Sequence, residues 1–378
     1  MPSPSPAGVE ELRAARAQFP VFERTAYLNT ATHAPGSLPA RDAMVAALAR
    51  WLEGSFDWVA AESAGEEARR CFAALIGAGE DEVSLNNSAS TGAGVVAAQF
   101  PPAAAGENVL VGAGEFTSNF LPWSGLARRG YEVRHVQGRD GAFRPEDFEA
   151  RRDGGTRLIA VSAVQSASGY RADLGALSAL ARRSGAWLVV DASQAVGAVP
   201  LDVRRDGVDA LFACNHKFLL GTRGLGYLYV KRERLAGLQP ITPGWRAARE
   251  PMKSFYGPVV ELSETASRLD TSLAWFNALA DRESFRLLES VGRERIQERN
   301  AALVELLVEA LQGRGFSTPF SGSERSTIVS IPVSEPEVTR DRLAAAGVVA
   351  VLRAGRLRLS VHFYNDEEDI ERAVREIR

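Results

Sequence analysis

Lysine is the residue type here that can supply an amine nucleophile, and only three are present: Lys217, Lys231 and Lys253. With 44 Lys plus Arg in total, the remaining 41 are arginines, which keep their protons and cannot take that role. Lys217 lies in "DALFACNHKFLLGTRGLGYLYV", behind an apolar run and ahead of Phe218, Leu219 and Leu220. Burial disfavours an ammonium, so this setting favours a neutral, nucleophilic amine. The alternative is a side chain that snorkels from a strand end into water. Lys231 ("VKRERL") and Lys253 ("EPMKSF") have charged or polar neighbours and read as solvated.

A carboxylate shares the setting of Lys217. "AWLVVDASQAVG" puts Asp191 at the carboxyl end of a strongly apolar strand, where ligands bind in open α/β sheets. A carboxylate is costly there unless a cation partners it. A pyridinium nitrogen would do so, and an acidic partner to that nitrogen recurs in pyridoxal phosphate (PLP) sites. Taken singly, an Asp in such a place more commonly caps a helix. Beside a buried lysine on a nearby strand end, the cofactor reading is the stronger one.

Such residues need a sheet to hold them. From about residue 25 to 255, helical stretches such as "ARDAMVAALARWLEG", "AGEEARRCFAALIG" and "LGALSALARRSG" alternate with short apolar runs. The runs are "NVLVG" (108–112), "YEVRHV" (131–136), "RLIAVSAV" (157–164), "AWLVVD" (186–191), "ALFACN" (210–215) and "GLGYLYV" (224–230). Val-, Ile- and Leu-rich runs of this length, separated by helices, predict an α/β domain with a mainly parallel sheet covered on both faces. "TAYLN" (25–29) reads as a strand ahead of it. Beyond residue 255 come a helical region (about 271–313), the strand "TIVSIPV", the helix "VTRDRLAAAG", the strand "RLRLSVHF" and a last helix, "DEEDIERAVREIR". This less regular order predicts a smaller α+β C-terminal domain over 256–378. Residues 1–24, with an amphipathic "GVEELRAARAQF", are expected to pack on it.

Composition closes other routes. A chain of 378 residues, 46% hydrophobic and 24% charged, can build a core, and a net charge of −3 gives no reason to expect nucleic acid or an anionic membrane. Cys71 and Cys214 are too far apart for a CxxC motif or a disulfide framework. The first residues lack the build of a signal peptide and no apolar run reaches membrane-span length, so a cytoplasmic protein is expected. No P-loop, GxSxG elbow or HExxH occurs, and "GTRGLG" (221–226) has the wrong spacing for a dinucleotide fingerprint. His33, His135, His216 and His362 are dispersed, so no metal site is expected.

"DASQAVG" followed by "CNHKFLLGTRGLGYLYV" resembles the core of the class-V aminotransferase family, the PLP fold-type-I branch with cysteine desulfurases, selenocysteine lyases and an isopenicillin epimerase. The resemblance runs from about "YLNTA" to the C-terminus. It implies a large PLP domain with a seven-stranded type of sheet, and a homodimer with active sites at the interface. It also implies that Lys217 carries pyridoxal 5'-phosphate, that Asp191 pairs with its ring nitrogen and that Gln194 bonds its phenolic oxygen. "NNSASTGAG" is similar to the family's phosphate turn, with the Ala89 backbone and the Ser90 side chain on the phosphate. Small residues and hydroxyls opening a helix do make an anion site. Cys214 and His216 fall at further phosphate-contacting positions, and Phe116 in "GEFTSNFLPW" at the ring that stacks on the pyridine. Ser166 stands near the cofactor where the family often has Asn. Thr271 and Ser272 in "LDTSLAWFN" fall in the segment that reaches the partner's phosphate. In "RLRLSVHFYN", similar to the family's R-x-S-x-x-x-Y-N, Arg358 is expected on the substrate α-carboxylate, a task suited to its planar fork.

Departures from the pattern bear on the reaction. Desulfurases have His where this chain has Phe116, and a phenyl ring stacks but cannot shuttle a proton. They also carry a sulfur-accepting Cys on a loop before the carboxylate-binding Arg; here that stretch is "GVVAVLRAGRLRLS", without a Cys. Persulfide chemistry is therefore disfavoured. What the sequence leaves is a transaminase or a C–S β-lyase acting on a cysteine conjugate. An epimerase of the isopenicillin type needs a second acid, for which His33 in "TATHAP" is the candidate. A nucleotide-binding α/β protein is the reading from another class, though it lacks a glycine-rich turn.

Overall fold

The computed structural model describes residues 6–258 and 261–378. A two-residue strand, β1 (Ala26–Tyr27), stands apart from the main sheet. That sheet has seven strands: β2 (Val83–Asn86), β3 (Asn108–Gly112), β4 (Glu132–Val136), β5 (Thr156–Ser162), β6 (Trp187–Asp191), β7 (Ala210–Cys214) and β8 (Gly226–Val230). Their order is β2-β8-β7-β6-β5-β3-β4, and only β8 runs against its neighbours β7 and β2. The reason lies in the β7–β8 connection, residues 215–225, which is too short for a crossover helix. A chain that turns back so soon must pair antiparallel. The same short connection carries Lys217.

The apolar runs are apolar because both faces of the sheet are covered. Ile159, Val161, Leu188 and Val190 pack toward one layer, which holds Leu177 of α5 (Leu174–Ser184). Leu158, Val189 and Phe212 pack toward the other, which holds Val96 of α4 (Ala89–Ala98). Ahead of these helices come α1 (Pro6–Arg16), α2 (Leu38–Leu52) and α3 (Trp58–Ile76). The helix expected over "AGEEARRCFAALIG" starts earlier than the sequence suggests, where Asp57 accepts from the Ala60 N–H as its cap. β2 is a strand that sequence reading missed, because Ser84 and Asn86 interrupt its apolar pattern.

The helical region near 271–313 is two helices, α6 (Trp275–Val291) and α7 (Arg293–Gln312), broken at Gly292, whose φ of +89° suits glycine. α6 packs on α2 and α3. Then follow β9 (Ile328–Ile331), α8 (Pro336–Ala345), β10 (Val348–Val349), β11 (Val351–Arg353), β12 (Arg356–Ser360) and α9 (Glu367–Glu376). Strands β11, β12 and β9 form an antiparallel sheet, while β10 pairs in parallel with β1. The N-terminal stretch reaches the same region: Arg16 Nη1 lies 2.7 Å from Asp369 Oδ2, and the Phe19 ring is 4.9 Å from that of Tyr364. Among the described residues no helix is long and apolar enough to cross a membrane.

Candidate active site

Asp191 ends β6 and Lys217 follows β7, so neighbouring parallel strands deliver both to the carboxyl edge of the sheet. They line a cavity of about 370 Å³. Asp191 is 6% exposed, and its carboxylate accepts from the Ser193 N–H at 2.8 Å. Burial raises its pKa, and the nearby Lys217 opposes that rise. A buried carboxylate so thinly solvated wants a cationic partner.

The lysine loop is held tightly. Leu220 adopts φ +63° to close the turn, a conformation that a branched residue keeps only when its surroundings impose it. Gly197 approaches so closely that a Cβ there would meet the Phe218 carbonyl at 2.4 Å. His362 donates from Nε2 to that carbonyl at 3.1 Å. Below the loop, buried Asp281 accepts from Asn215 Nδ2 at 2.7 Å and from the Tyr227 hydroxyl at 2.9 Å. Burial pushes the Asp281 carboxyl up to about 7, against the pull of those hydrogen bonds. The folded chain therefore keeps a proton that the unfolded chain releases near pH 4. The stability this contributes is complete below about pH 4 and is lost as pH rises through about 7. Asp281→Asn keeps an acceptor without the charge. Its melting temperature is expected to drop less between pH 5 and 8 than that of the wild type; equal drops would clear Asp281 of this role.

Opposite the lysine, the Phe116 ring stands 54% exposed, with Lys217 Nζ 5.6 Å from its centroid. Its backbone is fixed by Glu115, which accepts from the Ser162 N–H and Gln165 Nε2, each at 2.7 Å, and from the Ser162 hydroxyl. At another side α4 opens with Ser88 as its cap, accepting from the Thr91 N–H at 3.1 Å. Ala89, Ser90, Cys214 and His216 line this end. Burial and the neighbouring Lys217 lower the His216 pKa to about 4, so its imidazole is neutral at pH 7.

Arg358 is 1% exposed and faces the cavity without a carboxylate partner among the described residues. Its Nη1 donates to the Ser166 carbonyl at 2.7 Å and its Nη2 to the Thr32 hydroxyl at 2.7 Å. Burial pulls its pKa down to about 10, which leaves it charged at neutral pH. The rest of its motif clasps the entrance loop. Ser360 Oγ accepts from the Ala31 N–H at 2.9 Å, the Tyr364 hydroxyl meets Thr30 Oγ1 at 2.6 Å, and Asn365 Nδ2 donates to the Tyr27 carbonyl at 3.0 Å.

Of the residues singled out in the sequence, nine line this one cavity: Ala89, Ser90, Phe116, Ser166, Asp191, Cys214, His216, Lys217 and Arg358. Gln194 stands just behind, donating to the Ala31 carbonyl at 2.9 Å and to Ser166 Oγ at 3.1 Å. Thr271 lies beside the cavity of its own chain, its hydroxyl donating to Asn87 Oδ1 at 2.8 Å; the Ser272 carbonyl accepts from Asn87 Nδ2. His33 is exposed and outside the lining, 3.2 Å from the Tyr27 hydroxyl. Sequence reading missed Thr32, Arg223 and Arg353, which do line the cavity. Arg223 was hidden in "GTRGLG", and Arg353 was one arginine among 41, flagged only by a Arg-Ala-Gly-Arg turn.

A model of the family described as aminotransferase class-V matches residues 57–373. The chain belongs to that family. YcbU of Bacillus subtilis (strain 168), described as an uncharacterised aminotransferase, is 29% identical to this class-V member over 322 residues, 85% of each chain. The "Probable cysteine desulfurase" of Methanothermobacter thermautotrophicus is 27% identical over 392 residues, 94% of each. Among solved structures, the cystine C-S lyase C-DES, in complex with its reaction product cysteine persulfide, shares the fold. Its TM-score is 0.84 at 20% identity, over 95% of this chain and 98% of that one.

A class-V protein is a PLP-dependent enzyme, and pyridoxal 5'-phosphate is its cofactor. The residues present fit that group. Gln194 Oε1, His216 Nδ1 and Arg358 Nε are buried without a hydrogen-bond partner among the described residues. An amine, an unpaired carboxylate, an open aromatic face and a helix N-terminus all converge on one cavity. The nucleotide-binding alternative falls with this family assignment.

Proposed function

We propose that this class-V enzyme acts at Cα of an amino acid, as a transaminase or as a C–S β-lyase on a cysteine conjugate, without a persulfide on a cysteine of its own. The observation that carries the reading is the β11–β12 hairpin. It turns through Ala354 and Gly355 alone and leads straight into Arg358, so no loop and no thiol enter the cavity from that side. Burial raises the Cys214 thiol and pushes that of Cys71 up to about 12, and a protonated thiol is a poor sulfur acceptor.

Bound PLP would supply the electron sink that makes the Cα proton acidic. The chain's own residues do the rest. Lys217 Nζ would hold the cofactor and, once released, take the proton from Cα. Asp191 would keep the ring nitrogen protonated, Gln194 would bond the phenolic oxygen and Phe116 would cover the ring face. The first N–H groups of α4, with Ser90, Cys214 and His216, would receive the phosphate. Arg358 would fix the α-carboxylate and so set which bond to Cα lies ready to break. Epimerisation is the weaker reading, because His33 keeps to Tyr27 outside the lining.

An exposed apolar face of α2 (Val45, Leu48, Trp51 and Leu52), beside Phe276, supports a homodimer, in which Thr271 and Ser272 would approach the partner's phosphate. Two buried, unpaired cysteines suit a reducing cytoplasm. The test is a product assay on the holoenzyme with amino acids and cysteine S-conjugates. Pyruvate, ammonia and a thiol in equal amounts mark the lyase; a keto acid with an aminated cofactor marks the transaminase. Cyanide-labile sulfur on the protein after incubation with cysteine would overturn the reading.

A further inference from the structure

The cavity carries more positive charge than the proposed chemistry uses. Arg223, Arg353 and Arg358 line it beside Lys217, against Asp191 as the only lining carboxylate among the described residues. Arg223 lies just before β8, whose first residue, Gly226, packs against Ser88, the cap of α4 where the phosphate would sit. Arg353 has no such assignment. It ends β11, and the two-residue turn after it, with φ of +48° at Ala354 and +72° at Gly355, aims it back over the cavity.

In the hairpin register Val351 faces Arg358 and Arg353 faces Arg356, so Arg353 and Arg358 project from one face as diagonal neighbours. Both guanidinium groups reach the same hydroxyl: Thr32 Oγ1 lies 2.7 Å from Arg358 Nη2 and 3.5 Å from Arg353 Nη2. Neither has a carboxylate partner among the described residues. Two like charges brought together on one neutral hydroxyl repel each other, a cost that a second anion would remove.

We propose that Arg353 is a specificity-determining residue which binds a second carboxylate, at the side-chain end of the substrate. The substrate class is then an amino acid or cysteine S-conjugate whose side chain ends in a carboxylate. This rests on the reading that Arg358 takes the α-carboxylate. Arg358, buried, holds the invariant end of the substrate; Arg353, exposed at the rim, reads the variable end and lets longer or shorter side chains compete.

The test uses the holoenzyme and ligands that cannot react. Calorimetric dissociation constants are measured for glutarate and for butyrate, with wild type, Arg353→Ala and Arg358→Ala. Glutarate is expected to bind roughly 10-fold tighter than butyrate to wild type, as one additional charge-assisted contact would give. In Arg353→Ala that preference should fall to near one, through a larger loss of glutarate than of butyrate affinity. Equal affinities in wild type, or a preference that survives Arg353→Ala, would overturn the second subsite. If Arg358→Ala leaves butyrate affinity unchanged, the α-carboxylate reading fails instead, so the two failures are distinct. Turnover supplies a second readout: kcat/KM for S-carboxymethylcysteine over S-ethylcysteine should drop in Arg353→Ala through KM, and a drop in kcat alone would count against it.

Discussion

Lys217→Ala is expected to leave a folded protein that cannot hold its cofactor covalently. Lys217 accepts and donates no hydrogen bond through its side chain among the described residues, and its loop is fixed by other groups: the Leu220 turn, Asn215 with Asp281, and His362 on the Phe218 carbonyl. The melting temperature should therefore move by no more than a few degrees, the usual consequence of a change away from core packing. Activity should fall by roughly 10³-fold or more, because one amine is asked to hold the cofactor and to move the Cα proton. The measurement is the visible spectrum before and after borohydride. Wild type should lose its lysine-bound band on reduction and carry the cofactor on Lys217 after digestion. A borohydride-sensitive band that persists in the variant would place the attachment elsewhere.

Arg358→Ala carries the second large effect. Arg358 sits 1% exposed with its Nε free and its fork turned to the cavity, so a bound α-carboxylate would be paired out of water. Truncating one partner of a buried charge pair costs about 2–5 kcal/mol, or roughly 30-fold to several thousand-fold in kcat/KM. The loss should appear mostly in KM, since a carboxylate contact made equally in the ground and transition states is uniform binding. Arg358 also ties Ser166 and Thr32 together, so some stability goes with it. Arg358→Lys separates the two roles. It keeps the charge and loses the fork, and an intermediate KM would show that bidentate geometry matters. An unchanged KM in Arg358→Ala would remove this arginine from the substrate.

The mainly parallel sheet was legible because burial on both faces forces short, continuous Val, Ile and Leu runs, and here they recur between helical stretches. Asp191 and Lys217 stood out for a related reason: a charge beside such a run has to be accounted for. Other elements were invisible for equally physical reasons. β2 is four residues long and pairs with β8 alone, so it shows no run, and α6 lies on α2 and α3 through contacts that no local periodicity announces.

Residue types and strand ends, then, were enough to single out one lysine of three, the carboxylate near it and one arginine of 41, the last only through its motif. Tertiary structure alone decided that nine of the chosen residues share one cavity and that His33 stands aside with Tyr27. It alone brought Arg353, Thr32 and Arg223 in. Local sequence encodes what a residue can do and whether its strand is buried. Which side chains meet depends on contacts between segments far apart in the chain, such as Thr32 with Arg358, and these form only when the whole fold closes.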